Sequence, residues 1–352
     1  MINNSIEKRE ESKTIILRDK TSTIFGEGVL PFVKQFQKIM TGGNIAIIYK
    51  DQKIADIMAK SLDAALYNVK FFQSNKPIRF PTFIKGIIAI GDEKELTIAK
   101  RLSKDSLYFY YCIKPNLGMF SCTTLTNNEK YKFAEFIYFD TSIINVRDTN
   151  IAFILYQSLF SVLTECIEFS YYESMFPFQN KGIIGIIDSI KKLLIDGIDE
   201  DNFLRESIRL MKVAVESLAL SGQYEFVSCS AKLKFNLSNE RVFLCDYFIN
   251  ILMLYFTKWD FFDMLIPAKE LIMGINSIRP NWRGMAQNQL LSDTKLQTIA
   301  KKVSCLVELP NIDICETIRI LQKVITKDNP LLAEINNRGI LEGLINGRFE
   351  RH

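Results

Sequence analysis

The chain has 352 residues, 48% of them hydrophobic and 24% charged, enough apolar mass for two ordinary domains and incompatible with a disordered tail or a fibre. Its 44 basic and 40 acidic side chains leave a net charge of +4, with no long basic run and no aromatic-basic motif, so nucleic acid is not expected as a partner. Seven cysteines without a CxxC spacing, most of them in apolar stretches, read as free thiols in a reducing compartment, which places the protein in the cytoplasm.

In chain order, the opening "MINNSIEKREESK" is polar and does not read as a leader. Apolar runs such as "GIIGIID" fall short of the roughly 18 residues a membrane span needs, so no membrane is expected. The runs "TIILRD", "NIAIIYK", "VKFFQ", "GIIAIG", "LYFYYCI" and "FIYFD" are short and rich in β-branched or aromatic residues, which predicts strands. Leu30 to Met40 and Gln52 to Leu66 repeat apolar residues at helical spacing between them. That alternation predicts an α/β domain of the nucleotide-binding type with a mostly parallel sheet, over residues 1–146.

Beyond it the spacing turns helical: Ile151 to Tyr172, Gly182 to Leu194, Asn202 to Leu220, Arg241 to Lys258, and further helices between Thr294 and Leu344. Residues 147–352 are therefore expected to form an all-helical domain. The stretch "FINILMLYFTKWDFFDMLIP" is apolar around most of a helix and reads as a buried central helix or a subunit contact. The aromatic run "EFSYYESMFPF" reads as core packing before it reads as a ligand cleft.

Four segments in a fixed order carry a resemblance: "STIFGEGVL" (Ser22 to Leu30), "IAIIYKDQKIADIMAKSL" (Ile45 to Leu62), "IAIGDEKELTIAK" (Ile88 to Lys100) and "CTTLTNNE" (Cys122 to Glu129). With "SVLTECIEFS" (Ser161 to Ser170) they make the chain similar to the superfamily of iron-containing alcohol dehydrogenase, glycerol dehydrogenase and glycerol-1-phosphate dehydrogenase, whose fold is shared with dehydroquinate synthase. The resemblance implies NAD(P) on a GGGS turn and on a TT-x-G-T-G-S-E segment, and an iron or zinc ion held by one Asp and two or three His.

The residues depart from that pattern at the sites themselves. Of the GGGS turn only Gly91 remains, followed by Asp92, Glu93 and Lys94, and Thr97 replaces the helix Asp. Two carboxylates and added bulk oppose a diphosphate, while the same residues suit a helix start, with Asp92 as N-cap and acids in the first turn. Thr123 and Thr124 keep part of the second cofactor segment, so Gly91, Thr123 and Thr124 are vestigial cofactor positions.

Ser161 and Glu165 stand at the ligating Asp and His of the first metal helix, and Ser228 and Lys232, within "SCSAK", at the two His of HxxxH. The later His–Gly segment falls near Asn239 and Glu240, and the single histidine is His352. A hydroxyl pair, a carboxylate and an amine do not make a transition-metal site, so no metal is expected and no catalytic residue is retained. One histidine also leaves no Ser/His/Asp or Cys/His arrangement.

Ser161, Glu165, Ser228 and Lys232 remain as cleft residues, and Lys232 is expected to supply the lost positive charge by pairing with Glu165 or Glu168; otherwise these side chains form a solvated face. The expectation is a homo-oligomer that is catalytically degenerate and binds a small molecule or a protein partner. Two alternatives stay open: an active NAD(P)-dependent oxidoreductase with a metal-free acid such as Lys232 or Tyr224, and a silent subunit beside an active paralogue.

Overall fold

The computed structural model describes residues 6–8, 15–17, 21–28, 40–64, 66–80, 83–103, 106–120, 133–175, 181–197, 200–220, 230, 237–258, 266–310, 314–325 and 330–343. They fall into two compact units, Met1–Ile151 and Ala152–His352.

The first unit is built on strands β1 (Ile6–Lys8), β2 (Ile15–Leu17), β3 (Ser22–Gly26), β4 (Gly43–Tyr49), β5 (Tyr67–Gln73), β6 (Gly86–Gly91), β7 (Leu107–Cys112) and β8 (Phe136–Asp140). They form one sheet in the order β1-β2-β3-β8-β7-β6-β4-β5. The first two strands join antiparallel, and from β3 to β5 every pairing is parallel. Strands β6 and β8 are buried at every position, as parallel strands covered on both faces must be. Helix α1 (Gln52–Asp63) lays Ala55, Met58, Ala59 and Leu62 on a core with Ile45, Ile47, Ile88 and Ile90.

Helix α2 (Glu93–Leu102) joins β6 to β7. The crossovers through α1 and α2 run in opposite directions along the sheet, so their right-handedness puts the two helices on opposite faces. The reversal of strand order falls between β4 and β6, and α/β sheets bind ligands outside the carboxyl ends of their strands at such a point.

The second unit holds, among the described residues, α3 (Thr149–Met175, which begins just before it), α4 (Lys181–Asp196), α5 (Glu200–Leu220), α6 (Asn239–Lys258), α7 (Ile266–Ile278), α8 (Trp282–Gln289), α9 (Asp293–Ser304), α10 (Ile314–Val324) and α11 (Pro330–Asn337). Helices α3 and α6 are buried around most of their circumference, with Phe160 against Phe243 at 5.1 Å between ring centres.

Several details differ from the sequence reading. Ser22–Gly26 is strand β3 rather than only a turn, because it pairs in parallel with all of β8. Helices α7 and α8 are additional. By length and composition Thr149–Tyr171 could cross a bilayer, with a mean hydropathy of 1.4, so the apolar-run count understated it. However, 78% of that apolar window is buried inside the protein, which makes it a core helix. The expected helix at Leu30 to Met40 lies, but for Met40, outside the described residues.

Candidate functional site

The strand-to-helix turn at the β4/β6 reversal is where a ligand would be expected, and three side chains of this chain occupy it. Gly91 ends β6 with φ at +151°, and its carbonyl accepts both the Ile113 N–H at 3.2 Å and the Tyr110 hydroxyl at 2.7 Å. Asp92 follows at the N-cap of α2, and Glu95, three residues on, reaches back to it as the N3 residue of a capping box does. The Glu95 side chain is 1% exposed, and its Oε2 accepts the Asp92 backbone N–H at 2.8 Å.

A Cβ placed on Gly91 would sit 2.4 Å from that same Oε2. The carboxylate of Glu95 therefore fills the space directly over the glycine and takes an N–H donor of the helix start, the two things a bound phosphate would need. Lys50, the residue after β4, donates from Nζ to Asp92 Oδ2 at 2.9 Å and so bridges the reversal point. The bond to Asp92 and that residue's charge raise the Lys50 pKa above its ordinary value. Because the Lys50 side chain is 64% exposed, this pair closes the turn without adding much stability.

Nearby titratable groups are not poised for reaction. Burial pushes the Cys112 thiol up, helped by the Asp92 charge, which makes it a poor nucleophile. Asp140, at the carboxyl end of β8, accepts from Gly28 N, Ser142 N and Tyr111 Oη at 3.0 Å each. It ties the turn after β3 to β7 and β8 and has few lone pairs left for a ligand.

In the second unit, Ser161 and Asp246 lie on α3 and α6, both fully buried. Ser161 donates its hydroxyl proton to Asp246 Oδ2 and accepts from Gln157 Nε2 at 2.7 Å. Asn250, one turn after Asp246, donates to Thr164 Oγ1 at 2.8 Å. Glu168 accepts the Ser230 N–H at 3.1 Å, and the Ser230 hydroxyl reaches the Ser161 carbonyl at 3.3 Å. Ser230, the one described residue of "SCSAK", is thus attached to the helix of Ser161.

Glu165 is half-buried on α3. Ser228, Lys232, Thr123, Thr124, Tyr224 and His352 lie outside the described residues. Gln157 and Asp246 were not singled out in the sequence, since isolated polar residues in apolar helices carry no pattern of their own, and neither was Arg283 in the polar stretch "WRGMAQNQ".

These residues do not fit an iron or zinc ion. The Ser161 hydroxyl is neutral and already spends both its donor and an acceptor site, and no group of three His, Cys, Asp or Glu side chains converges among the described residues. Nor does the turn fit a dinucleotide diphosphate, whose place over Gly91 Glu95 holds.

No family model matches the sequence, and neither does any curated protein. Among solved structures, the iron-containing alcohol dehydrogenase of Corynebacterium glutamicum aligns over 92% of this chain and 94% of its own, with 13% identity and a TM-score of 0.50. The alcohol dehydrogenase of Oenococcus oeni aligns over 86% and 91%, at 10% identity and 0.49. The glycerol dehydrogenase of Schizosaccharomyces pombe aligns over 95% and 94%, at 12% identity and 0.46. At such identities the likeness speaks for architecture alone: the chain has the fold of the iron-containing alcohol dehydrogenases, an α/β domain followed by a helical one.

Proposed function

We propose that this chain is a catalytically degenerate protein on a polyol-dehydrogenase fold, kept as a binding body for a small molecule or a partner protein. The observation that carries the reading is the Glu95 carboxylate over Gly91, hydrogen-bonded to the Asp92 N–H in the place of a phosphate. A diphosphate entering there would have to displace a buried, hydrogen-bonded anion and meet Asp92 and Glu93 beside it. Each uncompensated like-charge contact at about 4 Å costs on the order of 4 kcal/mol at an effective dielectric near 20. The buried thiols of Cys112, Cys166 and Cys245, none of them in a disulfide, agree with a reducing cytoplasm.

Calorimetric titration of the purified protein with NAD(H) and NADP(H) at low salt, where screening is weakest, tests the proposal. The expected result is no binding tighter than about 100 μM, roughly −5.5 kcal/mol. Binding below that concentration, or a stoichiometric metal in elemental analysis, would favour an active oxidoreductase instead.

A further inference from the structure

Arg283, in the first turn of α8, stands apart from the sites above. Its guanidinium carbon lies 5.7 Å from the centre of the Trp282 ring. Trp282 is itself fully buried and fixed: its Nε1 donates to Asn276 Oδ1 at 2.9 Å, and it packs against Tyr171 and Phe256 with ring centres 6.2 Å away in each case. The cation–π contact with a fixed indole favours this placement of the guanidinium.

Two of its nitrogens, Nε and Nη2, are sealed from solvent and have no hydrogen-bond partner among the described residues. These two share one edge of the guanidinium, where their N–H bonds run parallel and match the two oxygens of a carboxylate or phosphate. The nearby hydroxyls do not answer them. Tyr171 and Thr257 are hydrogen-bonded to each other at 2.7 Å, and Thr257 passes its proton to the Met253 carbonyl at 2.8 Å. An arginine stays charged at any ordinary pH, and buried donors without an acceptor are costly, so an edge held in place with no acceptor among the described residues is suited to one supplied by a ligand.

We propose that the Nε/Nη2 edge of Arg283, seated on Trp282 between the ends of α3, α6 and α8, is an oxyanion-binding site that takes two oxygens of a carboxylate or a phosphate side-on. The edge itself is sealed, so the ligand enters as neighbouring side chains move aside; Arg283 as a whole is half-buried rather than enclosed. The field of the same guanidinium reaches Tyr171, where it offsets part of the upward shift that burial imposes on that phenol.

Thermal melting of the whole protein at constant ionic strength tests this, with inorganic phosphate in one arm, acetate in a second and chloride alone as reference. Binding to the folded state raises the melting temperature in a saturable way, and the arm that saturates at lower concentration identifies the group. Arg283→Lys keeps a point charge but loses the fork and is expected to raise the half-saturating concentration about tenfold or more; Arg283→Met abolishes the effect. No saturable rise in either arm for the parent protein overturns the proposal, as does a rise that survives unchanged in Arg283→Lys. Should Arg283→Met fail to fold, the lysine variant decides alone.

Discussion

The carboxylate of Glu95 accepts the backbone N–H of Asp92 at 2.8 Å and in the same position lies over Gly91. One side chain thereby caps a helix and closes the turn in which dehydrogenases of this fold are expected to hold a diphosphate.

Restoring the family turn should therefore fail twice. The triple replacement Asp92→Gly, Glu93→Gly, Lys94→Ser removes the N-cap residue and adds unfolded-state freedom at two glycines, for an expected loss of about 1–3 kcal/mol in denaturant unfolding. It should not bind a dinucleotide, because Glu95 still fills the space. Adding Glu95→Ala is expected to be the step at which weak anion binding first appears. A triple variant as stable as the parent, or one that binds NAD(H) by itself, contradicts this account.

Gly91→Ala probes the same contact from the backbone side. The new methyl would meet Glu95 Oε2, Cδ and Cγ at 2.4, 2.7 and 2.8 Å, and the φ of +151° disfavours any side chain. Left-handed strain and overpacking, each about 1–3 kcal/mol, add in this background. In a Glu95→Ala background only the first remains. A double-mutant cycle should give coupling of at least about 1 kcal/mol; additivity of the two changes would mean that Glu95 swings aside freely.

How far this was visible in the sequence differs by element. The parallel strands were legible because β6 and β8 are continuous apolar runs with flanking charge. Strand β3 was not, since five residues bounded by glycine look the same as a turn until Ser22 to Gly26 find β8. At the turn, the D-x-x-E spacing of Asp92 and Glu95 was readable as a helix start. That Glu95 would fold back over Gly91 was not readable, because it depends on the glycine's φ. The Ser161–Asp246 contact joins positions 85 apart, and an Asp inside an apolar helix gives no hint of its partner.

Lys191 on α4 should leave a pH signature. Its side chain is 7% exposed with Asp188 Oδ1 4.0 Å away, and burial lowers its pKa from 10.5 to about 8. Below about pH 8 both folded and unfolded chains carry the charge, so folding bears the full cost of burying it. Between about 8 and 10.5 the folded state is neutral while the unfolded state still binds the proton, and stability from this residue rises with pH. Lys191→Met is therefore expected to melt above the parent at pH 7, with the gap narrowing across that window. A gap that is constant, or that widens with pH, would show that the ammonium is not desolvated.

The last prediction concerns Ser161, which stands where the resemblance expects a metal-binding aspartate. Its hydroxyl donates a hydrogen bond to Asp246 Oδ2, and both residues are fully buried. Ser161→Asp replaces a donor with a second carboxylate against the first. Two buried carboxylates in contact cannot both ionise, so one must take a proton and its pKa rises. A carboxyl whose folded pKa is raised contributes stability that is present at acid pH and lost as pH rises through the folded value. The variant should thus lie close to the parent near pH 4 and fall below it by about 3–5 kcal/mol at neutral pH. Asp246→Asn in the same background offers an amide donor to the new carboxylate and should recover at least half of the loss. Added zinc distinguishes the remaining possibility. If the surrounding residues still formed a ligand set, Ser161→Asp would complete it, and zinc would raise the melting temperature of the variant saturably while leaving the parent unchanged. With the neighbouring positions held by Gln157, Thr164 and Asn250, whose amides and hydroxyl bond to one another and to this pair, no such rise is expected.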